Sequence, residues 1–130
     1  MNKLVCIIPA QEKNNYSKDG DLVSWGQSNL LAWKISQLSE VIGAKNIFIS
    51  TSSKKIIRFA NEKKIKVLKR TKIKTLGDVF REAGNKFKKC DILWANPTSP
   101  FISPKTIKKI ISVYRKSRPK DGLVTCVKTN

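Results

Sequence analysis

Short apolar segments alternate with helical patterns from one end of this chain to the other. The segments with the character of strands are Leu4–Ile8, Asn46–Ser50, Lys66–Leu68, Asp91–Ala95 and Leu123–Val127. They are short, rich in β-branched residues and nearly continuous in their apolar character, which is typical of strands buried on both faces. Their alternation with helices predicts an α/β fold, with a three-layer α/β/α arrangement, a mainly parallel sheet and right-handed crossovers.

Each predicted helix carries an apolar stripe with three- and four-residue spacing. The clearest stripes are Leu31, Ile35, Leu38 and Ile42; Leu76, Val79, Phe80, Ala83 and Phe87; and Ile107, Ile110, Ile111 and Tyr114. Ser53 and Ser103 are predicted N-caps, and Pro104 suits the first helical position. The region Gln11–Asn29 lacks clear periodicity, and a loop of that length in a compact domain usually has a function or is disordered.

The residue inventory excludes several kinds of catalytic site. The chain has no histidine, which removes the commonest general base and the usual catalytic zinc ligand. Its 9 Asp and Glu residues show no metal-ligand spacing, so no metal-binding residue is assigned. The cysteines Cys6, Cys90 and Cys126 lie in or beside apolar runs, which predicts buried free thiols and a cytoplasmic location. No run approaches the roughly 20 apolar residues of a membrane span and no signal-peptide pattern is seen, so no membrane partner is expected.

A formal net charge of +18 would attract polyanions. The lysines are spread over every segment, mostly on the polar faces of predicted helices, which favours a solvated surface. The densest run, Lys63–Lys74, has no interleaved aromatic residue, so the stacking platform typical of proteins that bind single-stranded nucleic acid is absent there. A basic module for nucleic acid or another polyanion remains an alternative.

The most informative motif is Ala95-Asn96-Pro97-Thr98-Ser99-Pro100, which follows a predicted strand and leads into a predicted helix. Its two prolines stiffen the turn, because each fixes its own φ and restricts the preceding residue. The segment Leu4–Ala10 has the same form, an apolar strand that ends in a proline and a polar loop. Ligands of open α/β sheets bind at such carboxyl ends.

Together these segments resemble the CMP-sialic acid synthetase family, the acylneuraminate cytidylyltransferases. Ile7-Ile8-Pro9-Ala10 resembles the family's opening Ile-Ile-Pro-Ala-Arg, and Asn96–Phe101 resembles its Gln-Pro-Thr-Ser-Pro-Leu. Between them, Ile47–Ser53 and Leu30–Trp33 resemble its second strand and the start of its first helix. The resemblance covers the whole chain but only about the N-terminal half of a typical member. It implies a fold of the nucleotide-diphosphosugar transferase type, with residues 1–130 as one nucleotide-binding domain that lacks the family's C-terminal half.

The resemblance also implies a nucleotide site for CTP, formed by the loop after the first strand and by a later arginine. The implied nucleotide-binding residues are Pro9, Ala10, Gln11, Asn14, Asn15 and Arg70. Gln11 stands in place of the family's arginine, and Asn14-Asn15 stands in place of its Ser-Lys pair. Two cations that would neutralise the triphosphate are therefore absent from their expected positions.

The implied substrate-binding residues are Asn96, Pro97, Thr98 and Ser99, with the Asn96 amide in place of the family's sugar-contacting glutamine. The resemblance further implies Mg²⁺ as cofactor, but the family holds its metal mainly with aspartates of the C-terminal half. No ligand for Mg²⁺ is identifiable in this chain, and no catalytic residue is assigned.

The leading interpretation is a cytidylyltransferase-like protein that transfers CMP from CTP to an acidic sugar such as a sialic acid. Loss of the loop cations leaves open whether the chain is an enzyme. The alternatives are a non-catalytic relative that binds a nucleotide or a sugar, which a partner chain or a second copy could complete, and the polyanion-binding module.

Overall fold

The computed structural model describes residues 2–71, 73, 75–117 and 122–124. Its strands are β1 (Lys3–Pro9), β2 (Ser24–Trp25), β3 (Ser28–Asn29), β4 (Ile47–Thr51), β5 (Lys66–Lys69) and β6 (Cys90–Trp94). Its α-helices are α1 (Leu30–Ile42), α2 (Lys54–Glu62), α3 (Leu76–Lys86) and α4 (Pro104–Ser117). Four predicted strands are confirmed with small changes at their ends. The fifth, Leu123–Val127, lies mostly outside the described residues, and its first two residues are not in a strand.

The main sheet has four strands in the order β5-β4-β1-β6, and every neighbouring pair is parallel. The predicted α/β fold with a mainly parallel sheet is therefore confirmed. The expectation that the first strand and the strand before Asn96 are neighbours is also confirmed, because Val5 pairs with Ile92 and Ile7 with Trp94.

Apolar side chains cover both faces of this sheet. On one face, Cys6 and Ile8 belong to a buried cluster with residues of α1, α2 and α4, such as Leu31, Ile56 and Ile107. On the other face α3 covers the sheet, where the Phe80 ring lies 4.4 Å from Trp94 and the Phe87 ring 4.7 Å from Phe48. Successive strand residues point to opposite faces, so these two groups of contacts define a three-layer arrangement.

The helices begin where the sequence predicts. The Ser53 side chain accepts a hydrogen bond from the Ile56 N–H at the start of α2, and Ser103 accepts one from Thr106 at the start of α4. The apolar stripe of α3 is buried only in part: Val79 and Ala83 are buried, whereas Leu76 is 65% exposed.

The region Gln11–Asn29 is more ordered than its lack of periodicity indicates. It contains a 3₁₀ turn at Gly20–Leu22 and the short antiparallel pair β2–β3. Gly20 has a φ of +57°, and a Cβ there would overlap the main chain of Gln11 and Glu12. The 3₁₀ turn therefore packs directly on the start of the loop, at a distance that only glycine allows.

Candidate functional site

The two predicted ligand-binding segments leave the same edge of the sheet. The Ala10 N–H donates to the Ser50 carbonyl of β4 at 3.0 Å, which extends the pairing just past Pro9. On the other side of β1, the Ala95 N–H donates to the Ile7 carbonyl at 3.0 Å. The segments Pro9–Gln11 and Asn96–Ser99 thus follow neighbouring parallel strands at their carboxyl ends, where ligands of open α/β sheets bind.

Asp21 organises the loop that follows β1. It is 4% exposed, and its carboxylate accepts hydrogen bonds from the Gln11 N–H at 2.7 Å and from the Asn14 side-chain amide at 3.2 Å. Burial raises the pKa of the Asp21 carboxyl from its ordinary value, whereas these hydrogen bonds and the charge of Arg70 act in the opposite direction. The loop is therefore folded around a buried carboxyl group of the chain itself.

The other predicted nucleotide-binding residues of the loop differ in their surroundings. The Asn14 side-chain oxygen accepts from the N–H groups of Tyr16 and Ser17, each at 2.9 Å, so this amide closes a turn. The side chains of Gln11 and Asn15 are exposed. Glu12 accepts a hydrogen bond from the Ser53 hydroxyl at the start of α2. Asn14 thus supports the loop, while Gln11 and Asn15 are open to a ligand.

Arg70 lies at the same edge of the sheet, immediately after β5. Its Nε donates to the Ser50 hydroxyl at 3.1 Å and its Nη2 to the Ser50 carbonyl at 3.2 Å. Burial lowers the pKa of the Arg70 guanidinium, and the nearby carboxylates of Glu82 and Asp21 raise it. Arg70 thus lies close to the loop around Asp21. The assignment of Arg70 and this loop to one nucleotide site requires such proximity.

Three side chains of α1 hold the segment after β6. Trp33 Nε1 and Gln37 Nε2 donate to the Pro100 carbonyl at 2.9 and 3.0 Å, and Lys34 Nζ donates to the Ser99 carbonyl at 2.7 Å. Asn96 and Thr98 are exposed, whereas Pro97 is buried. The segment is thus fixed from its main chain and leaves the polar side chains of Asn96 and Thr98 accessible.

Lys34 is buried although it carries a cation. It is 2% exposed, and burial lowers the pKa of its ammonium group. Burial also raises the pKa of the nearby Cys6 thiol to about 12, while the Lys34 charge acts against this rise. Cys6 is a buried free thiol, as predicted, and Cys90 is a half-buried one; Cys126 lies outside the described residues.

Sequence reasoning missed the roles of Asp21, Lys34 and Gln37. Asp21 flanks Gly20 in a context typical of a turn, but its side chain is buried. The sequence contains a signal for Lys34, because this residue follows Leu31 by three residues and precedes Leu38 by four. This spacing places Lys34 on the buried stripe of the helix, where a polar residue is informative.

The residues in the described part of the chain do not fit a resident metal ion. No group of three or more Cys, Asp or Glu side chains lies close enough to hold one. Asp21, the buried carboxylate at the site, already accepts hydrogen bonds on both oxygens. These residues therefore offer no set of ligands for the Mg²⁺ that the resemblance implies.

The family model described as cytidylyltransferase matches residues 5–129. The chain belongs to the cytidylyltransferase family. The match spans β1 through α4, and thus both loops of the candidate site. A comparison with curated proteins finds no match.

Several solved structures share the fold of this chain. A CMP:2-keto-3-deoxy-manno-octonic acid synthetase complexed with CTP is 15% identical, with a TM-score of 0.76, over 89% of this chain and 48% of that one. A Leptospira borgpetersenii cytidylyltransferase is also 15% identical, with a TM-score of 0.76, over 91% of this chain and 51% of that one. A 4-diphosphocytidyl-2C-methyl-D-erythritol synthase from Anaerococcus prevotii is 18% identical, with a TM-score of 0.67, over 88% of this chain and 52% of that one.

The chain spans about half the length of these solved relatives. At such identities the likeness shows the fold. Among the described residues, no helix is both long enough and apolar enough to cross a membrane.

Proposed function

We propose that this chain binds CTP at the carboxyl edge of its sheet and transfers CMP to an acidic sugar of the sialic acid type. In that reaction the sugar hydroxyl oxygen forms a bond to the α-phosphorus of CTP and its proton passes to solvent. The bond from the α-phosphorus to the oxygen that bridges to the β-phosphate breaks, and pyrophosphate leaves. The observation that carries the proposal is the position of the two family motifs, which leave the neighbouring strands β1 and β6 at one edge. Residues 1–130 would form the nucleotide-binding domain.

The predicted site residues divide between the nucleotide and the acceptor sugar in this proposal. The loop from Pro9 to Asn15 would lie along the triphosphate, with Arg70 towards the base. Asn96, together with Thr98 and Ser99, would orient the acceptor sugar. Asn96 and Thr98 are exposed and the main chain beside them is held by α1, which suits a fixed polar surface. The solved relative whose acceptor is named as 2-keto-3-deoxy-manno-octonic acid supports an acidic sugar, and the other relative makes an acceptor of the methylerythritol type the competing possibility.

Turnover by this chain should be slow. Gln11 and Asn15 place neutral side chains where the family has cations, and the loss of one group that stabilises transition-state charge commonly costs about a hundredfold or more in rate. Pyrophosphate release from CTP with Mg²⁺ and sialic acid measures this rate. A value near the median for enzymes, about 10 per second, would contradict this interpretation of the loop.

CTP binding tests the site separately from turnover. The double substitution Gln11→Arg with Asn15→Lys should tighten CTP binding, since a charge-assisted hydrogen bond is worth roughly 1.5–3 kcal/mol. The matched control is Asn85→Arg with Asn61→Lys, which adds the same charge at exposed positions of α3 and α2. Calorimetry should show tighter binding for the loop pair alone. Equal tightening by both pairs would mean that net charge acts without a nucleotide site.

A specific observation favours the second candidate, a non-catalytic relative that binds a nucleotide or a sugar. The Gln11 N–H, which a phosphate-binding loop would direct towards its ligand, donates to the Asp21 carboxylate at 2.7 Å. If this candidate is correct, calorimetry will detect CTP binding while pyrophosphate release stays at the uncatalysed rate, and Asn96→Ala will weaken sugar binding without changing CTP binding.

A further inference from the structure

Basic side chains from separate elements converge at the opposite edge of the sheet, where the strands begin. They line an open groove of about 950 Å³, called here the basic groove. Its floor includes the apolar side chains of Ile42 from α1 and Ile111 from α4. Its cations are Lys3, Lys45, Lys66, Lys108, Arg115 and Lys116.

The charge of the basic groove is not balanced locally. Half of its 12 lining residues are Lys or Arg, and none is Asp or Glu. The whole chain has 27 Lys and Arg among 130 residues, so the groove is enriched well beyond the average composition. Among the described residues, Arg81–Asp78 is the one ion pair, and none of the groove cations takes part in it. Like charges held together without counter-charges create a positive potential that attracts anions.

The number and arrangement of these cations indicate the class of ligand. Six positive charges exceed the charge of a nucleoside triphosphate, whereas the phosphate backbone of a duplex presents one charge per about 1.7 Å of its axis. No aromatic residue lines the groove, which disfavours stacking on single strands. All six cations are exposed and line a concave surface, which follows a rod-shaped phosphate backbone more closely than a flat bilayer.

We propose that the basic groove binds the phosphate backbone of double-stranded nucleic acid, without reading its sequence and apart from the nucleotide site. Such contacts come from lysine and arginine and position a protein on the duplex. The sequence alone did not show this surface, because its six cations come from four separate stretches of the chain and only the fold brings these together.

The test uses the whole chain and fluorescently labelled 20-base-pair duplexes of RNA and of DNA, with anisotropy as the readout. Affinity should fall with added KCl with a logarithmic slope of about −5 if all six cations contact phosphates of B-form DNA. RNA and DNA duplexes both present a phosphate backbone but differ in helix geometry. Tighter binding of one duplex therefore identifies its geometry as the better fit to the groove.

Matched triple variants locate the binding surface. The triple variant with Lys3→Gln, Lys66→Gln and Lys108→Gln should bind DNA more weakly. The slope of its logarithmic affinity against salt should be nearer zero by about 3. Lys54→Gln with Lys55→Gln and Lys69→Gln removes the same charge from exposed positions at the other edge of the sheet, and should change the slope by less than one. Equal effects of the two triples would overturn the proposal, since diffuse net charge would then explain binding.

Competing anions complete the test. Heparin that displaces the duplex at equal charge concentration would overturn the assignment to nucleic acid, as would vesicles with 30% phosphatidylserine that bind in place of the duplex. CTP should not displace the duplex at concentrations that saturate the nucleotide site. Displacement of the duplex by CTP would overturn the proposal, because the groove would then be a nucleotide site. If the chain does not bind CTP at all, the proposed transferase function fails and the groove proposal is unaffected.

Discussion

Asp21 and the main chain of Gln11 form a closed pair of hydrogen bonds. The Gln11 N–H donates to the Asp21 carboxylate at 2.7 Å, and the Asp21 N–H donates to the Gln11 carbonyl at 2.9 Å. A loop expected to hold phosphates thus already contains a carboxylate from ten residues further along the chain. This pair fixes the loop before any ligand arrives, so a ligand phosphate must use other donors or displace Asp21.

Replacement of Asp21 by asparagine should change how stability depends on pH. Burial raises the pKa of this carboxyl from 3.8, so the folded state binds the proton more tightly than the unfolded state. The stability that Asp21 contributes is therefore greatest below its unfolded pKa and is lost as pH rises through the folded pKa. Asp21→Asn removes this dependence. The free energy of unfolding of the wild type minus that of the variant should fall as pH rises from about 4 to 7.

Urea unfolding of both proteins across this pH range measures the difference. The other carboxyl groups are common to the two proteins and cancel in the subtraction. A difference that rises with pH would contradict the inferred direction of the Asp21 pKa, and would mean that its hydrogen bonds and the Arg70 charge outweigh burial.

Two glycines provide a matched comparison of loop packing. Gly20 and Gly26 have similar φ values, +57° and +62°, but a Cβ on Gly20 would overlap the main chain of Glu12, whereas nothing lies within 4 Å of one on Gly26. Gly26→Ala should cost only the conformational penalty, about 1–2 kcal/mol. Gly20→Ala should cost clearly more, because the loop must move. Denaturant unfolding gives both values, and equal costs would show that the 3₁₀ turn does not pack on the loop.

The sequence predicted those parts of the fold that depend on local pattern. Apolar runs such as Leu4–Ile8 indicated strands, because a strand buried on both faces is apolar throughout. The stripe from Leu31 to Ile42 indicated a helix, because burial of one helix face leaves a periodic signature. The caps Ser53 and Ser103 were predictable for the same reason, since a cap satisfies main-chain groups within three residues.

Features that depend on distant partners could not be predicted in this way. Asp21 has the sequence context of a turn, and its burial depends on how the loop folds back on Gln11. Likewise, Lys34 and Gln37 meet carbonyls more than sixty residues away. No local pattern encodes such a contact, so the sequence placed the two loops at one edge of the sheet but not the hydrogen bonds that hold them.

The Cys6 thiol should be unreactive in the folded protein. Burial raises its pKa from 9.0 to about 12, which lowers the thiolate fraction near pH 8 by about a thousandfold, and the thiolate is the reactive form. Iodoacetamide labelling at pH 8, followed by mass spectrometry of the peptides, should modify Cys6 only after denaturation. Cys90 is half-buried and free, so it serves as the comparison within the same sample. Rapid labelling of Cys6 in the native state would show that α1 opens from the sheet.

Gln37 allows the contact between α1 and the segment after β6 to be tested with a pH readout. Its Nε2 donates to the Pro100 carbonyl at 3.0 Å, while its Oε1 is buried with no partner among the described residues. Gln37→Met removes both groups and leaves the Pro100 carbonyl with its bond from Trp33, so it should change stability by no more than about 1 kcal/mol.

Gln37→Glu should be more costly at neutral pH, because it buries a carboxylate, which can only accept, against the Pro100 carbonyl, which also only accepts. The expected cost is about 1–3 kcal/mol, since the carboxylate loses its hydration while the buried Lys34 ammonium one turn away offsets part of that loss. Below the raised pKa of the new carboxyl, its protonated form can donate to Pro100, so the cost should shrink as pH falls. Urea unfolding at two pH values, about 5 and 8, measures this recovery against Gln37→Met, whose stability relative to the wild type should not vary with pH. A Gln37→Glu variant as stable as Gln37→Met at the higher pH would mean that α1 does not hold the Pro100 carbonyl in solution.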